Sequence, residues 1–343
     1  MANPYSLTFG KEPLQVISRM AQMDEIIESF VADQPLQQIY MITGVRGSGK
    51  TVFMTEVAKD IEKRKDWIVI SLNPEKDLLE GLAAKLTSEI SISSIIKNAK
   101  INLSVFGFGA EISGVAPIND IEVAIEKILE NLDKHGKRIL ITIDEVTNTQ
   151  SMRVFSSAFQ IFIRKDLPLF LLMTGLYENI DDLQNEKSLT FLYRAPKMIL
   201  SPLNMGSMAD NYEKNVKVER DKAIEMAKMT RGYSFAFQVL GYYACEMDDD
   251  KKVYSSFKQR LEEYVYEKIW SELSGNDKSV LFAIANSNDG KISAVREILN
   301  MDTNHFNPYR KRLIRKGVIN GDERGYVKFT LPLFEEFVKE NYS

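Results

Sequence analysis

The chain has 343 residues, long for one ordinary compact domain, and its 44% hydrophobic and 27% charged residues are those of a folded globular protein. Its 44 Lys and Arg against 48 Asp and Glu give a formal charge of −4, which excludes a uniformly basic surface for coating nucleic acid but allows a local basic patch. A single cysteine, Cys245, excludes an internal disulfide framework and fits a reducing compartment, and with two histidines it makes a Cys/His zinc site implausible. No run approaches the roughly 20 apolar residues of a membrane-spanning helix. The N-terminus lacks the basic-then-apolar order of a secretion signal, so the expected setting is cytoplasmic, with no membrane partner.

After a short lead-in, the three-and-four spacing of Met20, Met23, Ile26, Ile27 and Phe30 predicts a helix. Residues 38–43 read as a buried strand that stops at Gly44, followed by a helix with Val52, Phe53, Val57, Ala58 and Ile61 on one side. A second strand spans 67–72, and Leu78, Leu79, Leu82, Leu86 and Ile90 mark the next helix. In 101–115, Ile101, Leu103, Val105 and Ile112 alternate with small or polar residues around Phe106-Gly107-Phe108-Gly109, the pattern of a hairpin extension of the sheet; a partner-contact loop is the alternative. Asn119-Asp120 cap a helix carrying Ile121, Ile125, Ile128, Leu129 and Leu132, which Gly136 ends. Further strands are expected at 138–143, 169–174 and 198–200. Strands apolar throughout, alternating with helices, predict an α/β fold with a parallel sheet covered on both faces.

Beyond Pro202 the pattern is all-helical. Ala223, Ile224 and Ala227 begin one helix, and Phe235, Phe237, Val239, Leu240 and Tyr243 populate the next. The acidic run 248–250 interrupts the chain before a long helix with Phe257, Leu261, Tyr264, Val265 and Ile269. From Ser274-Gly275 onward, helices give way to a short Gly-bounded ribbon, so the expected domains are 1–202, 203–273 and 274–343.

The strongest chemical signal is Gly44-Val45-Arg46-Gly47-Ser48-Gly49-Lys50-Thr51, followed by Val52: a complete G-x-x-x-x-G-K-[ST] phosphate loop between a predicted strand and a predicted helix. Glycines let successive N–H groups turn onto phosphate oxygens, and the helix N-terminus adds its dipole. Lys50 would reach the β- and γ-phosphates of ATP and Thr51 would complete the shell of Mg²⁺. The strand at 138–143 ends in Asp144-Glu145, placing a second Mg²⁺ ligand, Asp144, and a water-polarising carboxylate, Glu145, where ligands gather in such sheets. Thr174 closes the next strand, where a hydroxyl could orient water or simply end the strand. Arg194 could act in trans on a neighbour's nucleotide in a homo-oligomer, or be a solvated surface residue.

Together these residues resemble the AAA+ ATPases, and among them the origin-recognition/cell-division-cycle-6-like branch. The resemblance implies a parallel-sheet P-loop NTPase (AAA+) core with an α-helical lid and a C-terminal winged-helix domain. It implies that Val16-Ile17-Ser18-Arg19 is the N-terminal box, with Arg19 near the adenine pocket and Ser18 in place of the usual glycine. The phosphate loop and Asp144-Glu145 become the Walker A and B motifs, Thr174 the first sensor and Arg194 the arginine finger. In Met229-Thr230-Arg231-Gly232-Tyr233-Ser234-Phe235, Arg231 falls at the second sensor. The related STAND signalling ATPases carry Gly-x-Pro there, whereas this chain has Ser234.

The implied winged helix has helices at 279–285, 292–299 and 306–316 and a wing at 321–330. Tyr309, Arg310, Lys311, Arg312, Arg315 and Lys316 crowd its third helix, the element that enters the major groove in such folds, and Arg324 and Lys328 lie on the wing. The expected function is a Mg²⁺-dependent, slow ATP-hydrolysing switch, cycling between ATP and ADP, whose nucleotide state controls double-stranded DNA binding or remodelling. The alternative is a STAND-like signalling or defence ATPase whose winged helix contacts protein.

Overall fold

The structure, a computed structural model, describes residues 3–8, 13–99, 101–107, 115–287 and 289–342. The chain divides into two compact units. One, the sheet unit, contains Met20–Thr43 and Lys50–Ile199; the other, the helical unit, contains Met1–Arg19, Gly44–Gly49 and Leu200–Ser343.

The sheet unit runs α1 (Met20–Val31), β1 (Ile39–Thr43), α2 (Lys50–Glu62), β2 (Trp67–Leu72), α3 (Leu78–Ser88), α4 (Ser93–Asn98), α5 (Ile121–Asp133), β3 (Arg138–Ile143), α6 (Gln150–Arg164), β4 (Leu169–Gly175), α7 (Tyr177–Gln184) and β5 (Lys197–Ile199). The strands form one parallel sheet in the order β2-β3-β4-β1-β5. Side chains alternate between the faces of each strand. On one face Ile39, Met41, Ile141, Leu171 and Met173 join a core with α3, α5 and α6, including Leu82, Ile128, Phe155 and Phe159. On the other, Phe30 of α1 packs on Tyr40 and Phe170 at ring separations of 5.5 and 5.3 Å, and the Trp67 ring lies tilted against Phe170 at 4.8 Å. The central strands β1, β3 and β4 are buried on both faces and need no polar side, which is why they read as nearly continuous apolar runs.

Two local expectations are corrected here. The third helix stops at Ser88, and Ile90 lies in a 3-10 turn with 87% of its surface exposed, not on the helix's apolar face. At 101–107 the chain forms a 3-10 turn, Ser104–Phe106, instead of a strand, pinned by the Asn102 side chain, which accepts from the Ser104 N–H and donates to the Val115 carbonyl. Phe108, Gly109 and Ile112 of the expected hairpin lie outside the described residues.

The helical unit contains α8 (Met205–Asn215), α9 (Arg220–Thr230), α10 (Ser234–Glu246), α11 (Asp250–Leu261), α12 (Glu267–Ser271), α13 (Gly275–Asn286), α14 (Ile292–Leu299), α15 (Thr303–Arg315), β6 (Ile319–Asn320), β7 (Lys328–Phe329) and α16 (Phe334–Asn341). Its core runs without interruption from Tyr212 and Phe237 through Phe257 and Tyr266 to Phe306, Leu313 and Phe334. Asp249 of the acidic run caps α11 by accepting from the N–H groups of Lys251 and Lys252. The long helix expected across 257–269 is interrupted by a π turn at Glu262–Tyr266. The wider turn buries Val265 and Tyr266 and leaves Tyr264 43% exposed, against its expected place on the apolar face. The three helices expected near the C-terminus are present as α13, α14 and α15, followed by the antiparallel β6–β7 ribbon. No helix among the described residues is long and apolar enough to cross a membrane.

Candidate nucleotide site

Within the sheet unit the chemistry gathers at the carboxyl ends of β3 and β4. Lys50 and Thr51 open α2, whose first N–H groups have no partner within the helix and carry its positive dipole end. Lys50 is buried, an unusual place for an ammonium group. The Thr51 hydroxyl donates to Asp144 Oδ2 at 2.7 Å, and the Thr174 hydroxyl donates to Asp144 Oδ1. The Glu145 N–H donates to Asp144 Oδ1 at 3.0 Å and to the Thr174 hydroxyl at 3.3 Å. Asp144 is therefore oriented from three sides. Glu145 takes a left-handed backbone conformation, φ 53°, and its carboxylate is exposed. That conformation is costly for a residue with a Cβ, and the chain on either side is tied by the two hydrogen bonds of the Glu145 N–H and by the Val146 N–H, which donates to the Thr174 carbonyl.

Within the helical unit, Gly44–Gly49 is shaped by the start of α10. The Tyr233 hydroxyl donates to the Arg46 carbonyl at 2.6 Å, the Phe235 N–H to the Gly47 carbonyl at 3.1 Å and the Ser234 hydroxyl to the Ser48 carbonyl at 2.8 Å. Arg19 donates to the Ser48 carbonyl at 2.9 Å and to the Ser201 carbonyl at 2.7 Å. Gly47 has φ +76°, and a Cβ there would overlap the Tyr233 hydroxyl, so both backbone freedom and close approach demand glycine. Burial lifts the Tyr233 phenol well above the usual tyrosine range, which keeps it a donor.

The side chains fit the groups that the motif implies. The Ser48 hydroxyl is buried without a hydrogen-bond partner, a polar group that a phosphate oxygen would satisfy. Thr51 and Asp144 offer hard oxygen donors. Among the described residues no three His, Cys, Asp or Glu form a metal cage, and Mg²⁺ needs none, since it is usually held by one or two carboxylates together with substrate phosphates.

A family model described as an ATPase domain predominantly from Archaea matches residues 19–282. The chain belongs to this ATPase family. A second model, described as a domain of unknown function, matches residues 263–338. Among curated proteins, none matches. Of solved structures, the chain is similar to a Walker-type ATPase of Pyrococcus abyssi, with a TM-score of 0.63 and 16% identity over 94% of this chain and 96% of that one. It is also similar to the Aeropyrum pernix ORC2 protein in ADPNP–ADP complexes, with a TM-score of 0.62 and 13% identity over 97% of this chain and 95% of that one. These likenesses establish the fold, an α/β P-loop NTPase.

In this ATPase the sequence-predicted residues fall into two groups. Thr51, Asp144, Glu145 and Thr174 meet in the sheet unit, with Thr174 aimed at Asp144 and not at solvent. Arg194 stands apart, exposed at the end of a 3-10 turn beside Tyr193. In the helical unit Arg19 reaches Ser48, whereas Arg231 donates to the carbonyls of Phe329 and Leu331 at 3.0 and 3.5 Å. The basic residues of α15 divide as well. Arg312 forms a 2.6 Å ion pair with Asp277, whose side chain is 2% exposed, and lies over the Tyr309 ring. Arg310 donates to the Gly321 carbonyl at 3.4 Å. Lys311, Arg315 and Arg324 are exposed, and Lys316 is half-buried. The residues that sequence reasoning missed are Tyr233 and Ser234 as supports of the phosphate loop. The segment 229–235 stands out in the sequence by its resemblance to a second sensor, but the loop carbonyls that Tyr233 and Ser234 hold depend on the folding of a segment far along the chain.

Proposed function

We propose that the protein is a Mg²⁺-dependent, slowly turning over ATPase whose nucleotide state governs the C-terminal helices and, through them, the binding of double-stranded DNA. The observation that carries the hydrolytic part is the orientation of Asp144 by Thr51, Thr174 and the Glu145 N–H. Thr51 and Asp144 would hold Mg²⁺, which supplies charge neutralisation at the phosphates when bound. Lys50 neutralises the β- and γ-phosphate oxygens, the amides of Gly44–Gly49 orient the phosphate chain, and Glu145 accepts the proton of the attacking water.

The DNA reading rests on the exposed cations Lys311, Arg315 and Arg324 of the α15 and ribbon region, read as a winged helix. It is tested by titrating duplex DNA against the wild type and the Lys311→Ala/Arg315→Ala/Arg324→Ala variant, across a salt series, with ADP and with a non-hydrolysable ATP analogue. The expected result is weaker binding by the variant and a shallower salt dependence, the slope falling by about one for each phosphate that the variant no longer neutralises. Unchanged affinity and slope would contradict it.

A second reading, a signalling ATPase whose C-terminal part contacts protein, is favoured by Arg231, which is engaged with the Phe329 and Leu331 carbonyls. It requires nucleotide-dependent self-assembly, with the exposed Arg194 acting on a second copy. A molecular mass that is the same with ADP and with the ATP analogue, at every protein concentration, would exclude it.

A further inference from the structure

The residues that shape the phosphate loop belong to a segment with two grips. Its downstream end, Tyr233, Ser234 and Phe235, occupies the carbonyls of three successive loop residues, Arg46, Gly47 and Ser48. Its upstream end, Arg231, sits in the left-handed region at φ 51° and sends its guanidinium the other way, onto the carbonyls of Phe329 and Leu331 at the exit of the ribbon. That exit is buried, with Phe329 at 7% and Leu331 at 1% exposure, and it is joined to the end of α15 by the Thr330 hydroxyl, which donates to the Gly317 carbonyl, and by the Thr330 N–H, which donates to Val318 at 3.1 Å. The loop also meets this region directly, because Val45 packs so closely on Gly317 that a Cβ there would come within 2.5 Å of its methyl group. All of these groups belong to the helical unit.

We propose that residues 231–235 are a coupling segment, in which Tyr233, Ser234 and Phe235 position the phosphate loop and Arg231 ties its state to residues 317–331. This rests on the ATPase reading above. Each carbonyl that the segment occupies shares a peptide plane with the next residue's N–H, so the bonds at Arg46, Gly47 and Ser48 polarise the N–H groups of Gly47, Ser48 and Gly49. These are amides of the kind that phosphate loops turn on their anions, and hydrogen bonds in series strengthen one another. A nucleotide that orders the loop therefore orders the segment, and through Arg231 the ribbon exit. By reciprocity, whatever the ribbon gains from an occupied loop, the nucleotide gains from an ordered ribbon.

Hydrogen–deuterium exchange on the full chain tests this, with binding of a fluorescent ADP analogue measured first. In the wild type, saturating ADP should slow exchange both in the loop and in 317–331. In Arg231→Ala, saturating ADP should still slow the loop but leave 317–331 unchanged. Tyr233→Phe keeps the ring and removes one donor; it should weaken ADP binding about 3- to 10-fold, the worth of one hydrogen bond, and shrink the response of 317–331. A wild type that binds ADP with no change in 317–331 would overturn the coupling. So would a full wild-type response of 317–331 in both variants. A wild type that binds no nucleotide at all would instead overturn the ATPase reading.

Discussion

At the scale of single residues, the carboxylate of Asp144 is the most constrained group of the site. Both of its oxygens accept hydrogen bonds, from Thr51 on one side and from Thr174 and the Glu145 N–H on the other. Holding Glu145 at φ 53° costs on the order of 1–3 kcal/mol, and the chain on either side is tied by the Glu145 N–H bonds and by the Val146 N–H, which donates to the Thr174 carbonyl at 2.8 Å. On the proposed ATPase reading Thr174 acts through Asp144. Replacing Thr174 with Val keeps its volume and removes the donor, so the Mg²⁺ concentration for half-maximal ATPase activity should rise about 10- to 100-fold, as for other groups that orient a metal ligand. A Mg²⁺ titration of the two proteins measures it, and an unchanged midpoint would return Thr174 to a plain strand-end role. Asp144 and Glu145 are readable in the sequence because an apolar strand ends in two acids downstream of a complete phosphate loop. The target of Thr174 is not, because it depends on β4 lying beside β3, where Met173 pairs with Ile143.

At the scale of elements, α15 shows how a charged run can hold two kinds of residue. Arg312 serves the fold: it donates twice to Asp277, at 2.9 and 2.6 Å, and Asp277 also completes the capping box of α13 with Ser274. Arg312→Ala would leave a buried carboxylate without its partner, so a loss of about 1–3 kcal/mol of stability is expected, read as a lowered midpoint in urea unfolding. A midpoint equal to that of the wild type would contradict this assignment. Lys311 and Arg315 are exposed, and neither takes part in the α13 cap, so their replacement tests DNA contact without removing the Asp277 partner. From sequence the whole run reads as one basic face, because Asp277 lies 35 positions upstream. The apolar runs placed the strands well, since the central strands β1, β3 and β4 are covered on both faces. Periodicity misplaced Ile90 and Tyr264, where a helix ended early or widened into a π turn, since spacing alone assumes a regular 3.6-residue period. Five helices, α4, α6, α7, α8 and α16, go beyond the sequence reading, although Met152, Phe155, Phe159 and Phe162 of α6 carry the spacing that marks one.

At the scale of the whole molecule, the phosphate loop is divided in its loyalties. Its strand, β1, and its helix, α2, belong to the sheet unit, while Gly44–Gly49 is grouped with the helical unit through Tyr233, Ser234, Phe235 and Arg19. A motif that is continuous in sequence is thus supported by residues nearly 190 positions away, which no local pattern announces. The family's ATPase chemistry was legible in eight consecutive residues; the grip of the helical unit on them needed the fold. The central claim is that Glu145 activates water in a Mg²⁺-dependent ATPase whose nucleotide is held through Lys50. Phosphate release from ATP, measured for the wild type with Mg²⁺ or EDTA and for Glu145→Gln and Lys50→Ala, tests it most directly. The expected result is Mg²⁺-dependent turnover by the wild type. Glu145→Gln should bind ATP yet turn over roughly 10²- to 10⁴-fold more slowly, and Lys50→Ala should not bind the nucleotide. Full activity of Glu145→Gln, or wild-type turnover indifferent to EDTA, would contradict the account.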